Sequence, residues 1–493
     1  MLGIRFSNAG KTYWPYLMIL LLMLLGAGFR LISFQKEALG GDEMFSRRVV
    51  TEPLPLAYAE VRDDLVHPPL YYFLLKAGTS IWGAGALGLR GLSLFCGIAS
   101  IGLIAILGNR LPGARWCGYL AAAGMAVNRY QLFYSQEARS YAFYTMLVIL
   151  LVLWIDAISK RERDPWLWLA GASLMTLLVY THYYGFLYVF AAILTLLLCK
   201  LERRTKALAL ASAAAAALLL VPWLMVAASV YKKKQGLDQN LGWMHRPTLQ
   251  DLGGLWAKSL DTMGLRHGAF ALVLLLMLAL AAIALVRVSR HETLRLTPAV
   301  VALVIMGVLP PLIIFLLSNP PFNMHLFNLR HFLPSMALLL LLCCYGLERL
   351  SQASTRGAPL IAVGGSVLIL LLGAIPAIKS LNEGPMRFPW YELVDRVKTS
   401  DNMGAQAFAS TFKPDGEAVD FYCKSMCVLP LPENQTALPG RLLLIYVSDT
   451  ARDNLQYNQL IQRGYVETDH FTYHIFNLNG DMDVVAATLE RRK

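Results

Sequence analysis

Asp42 and Glu43 stand side by side in "GGDEMFSRR", just after an apolar run from Trp14 to Ile32. Acids beside such a run are costly unless something uses them. Other polar residues also border apolar runs. They are Asp63, Asp64 and His67 in "RDDLVHPPLYYFLLK"; Arg129, Gln136, Glu137 and Arg139 in "NRYQLFYSQEARSY"; Thr181, His182 and Tyr183 in "THYYG"; and Asn328, Arg330 and His331 in "FNLRHF". Carboxylates can serve as a general base or hold a cation. Arginine and histidine can hold phosphate, arginine through a planar fork of donors. A base plus a phosphate clamp at headgroup level fits group transfer from a lipid-phosphate carrier. Each motif also has a plainer reading. The acid pair could be a solvated helix cap, and "HPPLYY" a turn before a helix. Glu137 and Arg139 could be a local ion pair, and His182 a satisfied interfacial histidine. Arg330 and His331 could be interfacial anchors, and the lysine run 232–234 a solvated face. It is their number that argues for one polar cavity.

The elements that position these residues follow from composition. The 493 residues are 56% hydrophobic and 15% charged, against about 25% charged in an ordinary soluble domain. The chain is therefore expected to be an α-helical polytopic membrane protein. The formal net charge of +12 reads as topology, because Lys and Arg collect on the cytoplasmic side. No nucleic-acid-binding pattern is present, and no Gly-rich phosphate loop of the Walker or Rossmann kind. About eleven transmembrane helices are expected, at 14–33, 87–107, 116–132, 140–158, 166–181, 184–199, 207–229, 269–287, 299–317, 332–349 and 358–377. The first is read as a retained span, since no small-residue cleavage site follows it. With the N-terminus inside, "GNRLPGARW", "SKRERDP", "KLERRTK", "RVSRHETLR" and "ERLSQASTRG" all become short basic inner loops. Every polar cluster above then falls outside.

The expected organisation is a membrane domain over 1–378 and an extracytoplasmic α/β domain over 379–493. The membrane domain would carry a first outer loop at 34–86 and a later one at 230–268. In the α/β domain, "WYELVDRVKTS", "DGEAVDFYCKSM" and "DTARDNLQYNQLIQRGY" read as helices. "AQAFAST", "CVLPLP", "RLLLIYVS" and "HFTYHIFNL" read as strands. Outside, Cys423 and Cys427 could pair or remain two thiols, the short spacing being demanding. The other cysteines lie in or beside spans and read as small hydrophobes.

The order of "DE" after the first span, "HPPLYYFLLK", "LGLRGLSLFCG" and "YSQEARSYAFYTML" resembles the GT-C superfamily of membrane glycosyltransferases. The likeness is to the group of protein O-mannosyltransferases and aminoarabinose transferases. It is clearest over residues 1–200 and returns in "LRHFLPSMALLLL". The resemblance implies a cavity open to the outer leaflet and an inverting transfer from a polyprenyl-phosphate sugar donor to an acceptor hydroxyl. It implies that Asp42 is the catalytic base and that Glu43 supports it. Arg129, Arg139 and Arg330 would hold the donor phosphate, assisted by His67 and His331. Asp64 or Asp63 would be the second acid, and here the spacing to His67 departs from the family's. Glu137, His182 and Tyr183 join the second acid in positioning the acceptor. Lys76 lies too deep in a helical run to match the family's phosphate-lining lysine.

No cofactor is required by this chemistry. A divalent cation beside Asp42, Glu43 and His67 stays open. The expected partners are the lipid-linked donor, membrane lipids and an acceptor that is a lipid, a glycan or a protein; nucleic acid is not among them. The expected location is a bacterial inner membrane, with the site and the C-terminal domain on the periplasmic side. Two other readings compete: a transporter or flippase of lipid-linked saccharides, and a GT-C ligase of whole oligosaccharides. The transporter would more often show related halves, and none is seen.

Overall fold

The computed structural model describes residues 8–32, 34, 38–160, 164–234, 244, 246–260, 297–352, 357–382, 390–402, 404–409, 422–423, 428–432, 438–447, 451–475 and 482–492. Contacts divide the chain into two units. One is Met1–Ile32 with Val49–Lys379; the other is Ser33–Arg48 with Ser380–Lys493. The segment Ser33–Arg48, read from the sequence as part of a membrane-domain loop, is thus grouped with the C-terminal residues.

The first unit is helical. Its helices are α1 (Asn8–Leu31), α3 (Leu54–Asp64), α4 (Leu70–Trp82), α5 (Ala86–Asn109), α6 (Cys117–Val127), α7 (Arg129–Ser135), α8 (Tyr141–Lys160), α9 (Pro165–Thr181), α10 (Gly185–Leu198), α11 (Arg203–Lys234), α12 (Leu249–Ser259), α13 (Pro298–Leu317), α14 (Leu333–Ser351) and α15 (Ala358–Asn382). A further helix, α2 (Gly41–Thr51), runs from one unit into the other in sequence. Six described segments are long and apolar enough to cross a membrane: Tyr13–Leu31, Ala86–Asn109, Tyr141–Lys160, Arg203–Lys232, Pro298–Leu317 and Leu329–Ser351. Four shorter apolar helices are Cys117–Val127, Pro165–Thr181, Gly185–Leu198 and Pro359–Ile375. These fall on ten of the expected spans; the span expected at 269–287 lies outside the described residues.

Packing sorts the helices into a centre and a rim. Helices α8 and α14 bury most of their side chains, whereas α1, α11 and α15 leave Leu20, Leu24, Leu218, Leu219, Leu360 and Leu371 exposed. In lipid such leucines need no cover. Helices α5 and α6 meet backbone to backbone. A Cβ on Gly108 would lie 2.3 Å from the Gly118 Cα, and one on Gly118 would lie 2.4 Å from the Ala105 carbonyl oxygen. Small residues at a helix crossing allow this approach.

Two buried ionic side chains lock this unit, and neither was singled out in the sequence. The Arg30 guanidinium, fully buried near the end of α1, donates to Ser135 Oγ at 2.7 Å, Gly26 O at 3.0 Å, Ala126 O at 3.1 Å and Met125 O at 3.3 Å. It thereby satisfies carbonyls at the C-terminal end of α6, where cations are favoured. The Glu348 carboxylate, near the end of α14, accepts from the backbone N–H groups of Arg115, Trp116 (3.1 Å) and Cys117 (2.8 Å). It caps the N-terminus of α6, where anions are favoured.

The second unit holds a five-stranded sheet in the order β2-β1-β3-β5-β4. The strands are β1 (Gln406–Ala409), β2 (Val428–Pro430), β3 (Arg441–Val447), β4 (Tyr465–Ile475) and β5 (Met482–Arg491), with helices α16 (Trp390–Asn402) and α17 (Ala451–Gln462). Strand β1 runs parallel to β2 and β3, while β5 pairs antiparallel with both β3 and β4. Leu442, Leu444, Ala487 and Leu489 pack with Leu460 of α17 in one buried cluster. Strand β5 is an addition to the sequence reading, which ended on β4. Most of the helix expected around "DGEAVDFYCKSM" lies outside the described residues. Cys423 is disulfide-bonded, and Cys427 lies outside the described residues.

Candidate active site

The two leading acids sit in the first turn of α2, in the second unit. The turn is built by its own ends. Glu43 is buried, and its Oε2 accepts the Gly40 N–H at 3.0 Å, while the Glu43 N–H returns to Gly40 O at 2.9 Å. This is the reciprocal cap a third-position glutamate makes. Asp42 is half-buried in the same first turn. The preceding Leu39 is held within the same unit. Its carbonyl accepts from Trp390 Nε1 at 3.0 Å, and its N–H donates to the Tyr422 hydroxyl at 2.6 Å. The adjacent acids therefore differ: Glu43 spends an oxygen on the helix cap.

In the first unit, four chain segments bring their polar residues together. They are the corner between α3 and α4, the start of α8, the turn between α9 and α10, and a 3-10 turn (Leu329–Phe332) before α14. At the first corner Leu65 ends α3 with φ of 59°, an unusual conformation for a bulky residue. Beyond it, His67 is buried, and Asp64 Oδ2 lies 3.7 Å from its Nδ1. Asp63 instead pairs with Arg62 at 2.7 Å on the exposed side. That separates the two acids the sequence left open: Asp64 faces the histidine and Asp63 does not.

Arg139 is buried, with Nη2 3.3 Å from Nδ1 and 3.4 Å from Nε2 of His67. A guanidinium only donates, so in any hydrogen bond between the two His67 is the acceptor. Arg139 also lies over the Tyr72 ring at 5.9 Å, and its carbonyl accepts from Ser93 Oγ at 3.0 Å. Arg330 lies 5.7 Å from the centre of the Tyr141 ring. His182 has its ring 5.6 Å from His67, 5.2 Å from His331 and 4.9 Å from Tyr144, on which it stacks. Burial, with His67, Arg139 and Arg330 around it, holds the His182 imidazole well below its ordinary pKa. Three histidines, two arginines and three tyrosines (Tyr141, Tyr144 and Tyr184) thus form one cluster.

Other expected residues stand elsewhere. Tyr183 accepts the Trp223 indole N–H at 3.1 Å. Glu137 is buried at the turn before α8. Arg129 is buried at the first position of α7, behind the capping residue Asn128. The sequence reading missed the lysine nearest this turn. Lys258 of α12 lies 4.6 Å from the Tyr130 ring centre, and burial lowers its ammonium to about 8, Asp251 pulling the other way. Asn128 Nδ2 donates to the Lys258 carbonyl at 2.8 Å, and its Oδ1 accepts the Gln131 N–H at 3.1 Å. The tyrosines of "YSQEARSYAFY" were equally in view, and their density beside Arg139 was the available signal.

A largely buried site holding guanidinia, imidazoles and tyrosine hydroxyls offers many hydrogen-bond donors. It suits an anion and its polar neighbours. It suits a metal poorly, because His67 faces Arg139. Among the described residues no three His, Cys, Asp or Glu side chains gather to hold an ion.

Residues 66–226 match the model of the dolichyl-phosphate-mannose-protein mannosyltransferase family. No curated protein matches the chain significantly. Among solved structures, it is similar to ArnT from Cupriavidus metallidurans in the apo state. The TM-score is 0.55 at 12% identity, over 97% of this chain and 98% of that one. ArnT from Cupriavidus metallidurans bound to undecaprenyl phosphate gives 0.52 at 13% identity, over 98% of each chain. The oligosaccharyltransferase AglB from Archaeoglobus fulgidus, in complex with an inhibitory peptide and a dolichol-phosphate, gives 0.52 at 12% identity. That match covers 85% of this chain and 65% of that one. The chain thus has the GT-C membrane fold of ArnT, and within that fold residues 66–226 carry the sequence pattern of the dolichyl-phosphate-mannose-protein mannosyltransferase family.

Proposed function

We propose that the protein transfers a sugar from a polyprenyl-phosphate donor to an acceptor hydroxyl, with inversion at the anomeric carbon. The observation that carries the reading is the contact of buried Arg139 with His67, beside the His182 and His331 rings, with half-buried Arg330 over Tyr141. Two arginines beside imidazoles and tyrosines suit a phosphate group and would stabilise it as it leaves. Undecaprenyl phosphate in the ArnT structure supports the same ligand class. Asp42 is the proposed base. The acceptor oxygen bonds to the anomeric carbon, the bond from that carbon to the phosphate oxygen breaks, and the acceptor proton passes to Asp42. Glu43 holds the helix start that presents Asp42. Asp64 supports His67, and Arg129 is a second-rank phosphate partner. No organic cofactor is needed, and transfer should survive chelation.

The cluster is proposed to face the periplasm of a bacterial inner membrane, with the acceptor a lipid, glycan or protein. The test uses the full chain in nanodiscs with undecaprenyl-phosphate hexoses and an extract of envelope acceptors. Asp42→Asn should lower transfer about 10²- to 10⁴-fold while donor binding persists. Transfer unchanged in that variant removes the base assignment. Lipid-sugar movement across the membrane with no transfer by the wild type would favour a transporter.

A further inference from the structure

Buried polar atoms are normally paired, and one that is not calls for an explanation. Two ring nitrogens in the cluster, both buried, have no hydrogen-bond partner among the described residues: Nε2 of His182 and Nδ1 of His331. Their protonation follows from what the opposite nitrogens do. The Tyr184 backbone N–H donates to His182 Nδ1 at 3.2 Å. Nδ1 must therefore be the lone-pair side, and in the neutral ring Nε2 carries the proton. His331 is arranged the other way. The Leu326 carbonyl lies beside the ring and raises its basicity; with Nδ1 unpartnered among the described residues, the proton is assigned to Nε2. Its Nδ1 is therefore an acceptor. The rings are neighbours, 5.2 Å apart and tilted by 57°. One offers an N–H and the other a lone pair. Tyr144 stacks on His182 with ring centres 4.9 Å apart.

A phosphodiester oxygen fits this pair badly. It could accept from His182, but it has no proton to give His331, and its charge would meet that lone pair. A hydroxyl satisfies both nitrogens at once. We infer that His182 and His331 bracket one hydroxyl of the sugar carried by the lipid phosphate, accepting from His182 Nε2–H and donating to His331 Nδ1. The inference rests on the glycosyltransferase reading above and adds how that site selects its donor. The donor sugar is chosen over the acceptor because Arg139, a proposed phosphate partner, contacts His67, whose ring lies 5.6 Å from that of His182. The group one ring away from that phosphate is the transferred sugar.

The experiment is a coupling cycle between side chain and substrate, using the full chain in nanodiscs. Undecaprenyl-phosphate mannose, glucose and galactose are supplied, and the one turned over best is remade as a series lacking one hydroxyl each. Wild type should lose about 10- to 100-fold in kcat/KM for one member of the series, because its loss leaves two buried groups unpaired. His182→Phe should lose a similar factor with the complete sugar and almost nothing further with that same deoxy donor. His182→Gln, which keeps an N–H donor, should recover part of the loss. Thermal unfolding of both variants separates misfolding from lost recognition. Equal discrimination by wild type and His182→Phe at every hydroxyl overturns the bracket while leaving transfer standing. Coupling that appears with deoxygenated acceptors instead overturns the donor assignment. No transfer from any of these donors by wild type, in contrast, counts against the underlying reading.

Discussion

The two ends of α14 treat buried polar groups in opposite ways. Near its C-terminal end, Glu348 is fully buried and meets three consecutive backbone N–H groups. Just before its N-terminal end, His331 is buried with a ring nitrogen that has no hydrogen-bond partner among the described residues. Both residues forgo water, and only one is repaid within the chain. A satisfied buried charge fixes the placing of helices. An unsatisfied one is a cost the fold carries for something that arrives later. Arg30 belongs with Glu348 on this account, and His182 with His331.

That contrast can be broken by mutation. The largest effect should come from Arg139→Ala, which removes a proposed phosphate partner. It should lower kcat/KM by about 10²- to 10³-fold in the nanodisc transfer assay. Its melting temperature should hold or rise, because a buried cation beside an imidazole is itself a burden. A large fall in melting temperature would move Arg139 to the structural end of the comparison. Glu348→Ala should do the reverse. Leaving the start of α6 without its cap should cost about 3 kcal/mol of stability. Activity should fall only with the folded fraction, measured by melting in detergent. An unchanged kcat/KM with an unchanged melting temperature would sink the anchoring role.

The smallest effect is a pH dependence. Folding lowers the His182 pKa, so below about pH 6.5 the unfolded chain binds a proton the folded chain refuses. The His182 contribution to stability is therefore complete above that pH and is lost as pH falls below it. Wild type should lose about 1 kcal/mol more than His182→Phe between pH 7.5 and 5.5. Parallel pH curves for the two would mean that this ring is solvated.

Much of the cluster was legible because polar residues at span ends stand out in so apolar a chain. His67, Arg139, His182, Arg330 and His331 were all visible in that way. The choice between Asp63 and Asp64 was not, since spacing treats them alike; it is Arg62 that draws Asp63 aside. Glu348 was hidden in what read as an ordinary inner loop, because its partners are backbone groups more than two hundred residues earlier. Strand β5 was hidden by "DVVAATLE", whose alanines, leucine and glutamate suit a helix. It becomes a strand because β3 and β4 pair with it on both sides. Lys258 could not be read either, as its place depends on the docking of α12 beside Tyr130.

Asn128 carries a consequence for which substitutions the chain can accept. At most helix starts Asn and Asp are interchangeable caps. Here the same amide also gives a hydrogen to the end of another helix, at the Lys258 carbonyl. Aspartate would keep the acceptor that Gln131 uses and set a second oxygen against that carbonyl. The most conservative replacement is therefore closed at this position. A mutational scan should find it narrower than a cap alone would require, with α12 and α7 drifting only as a pair.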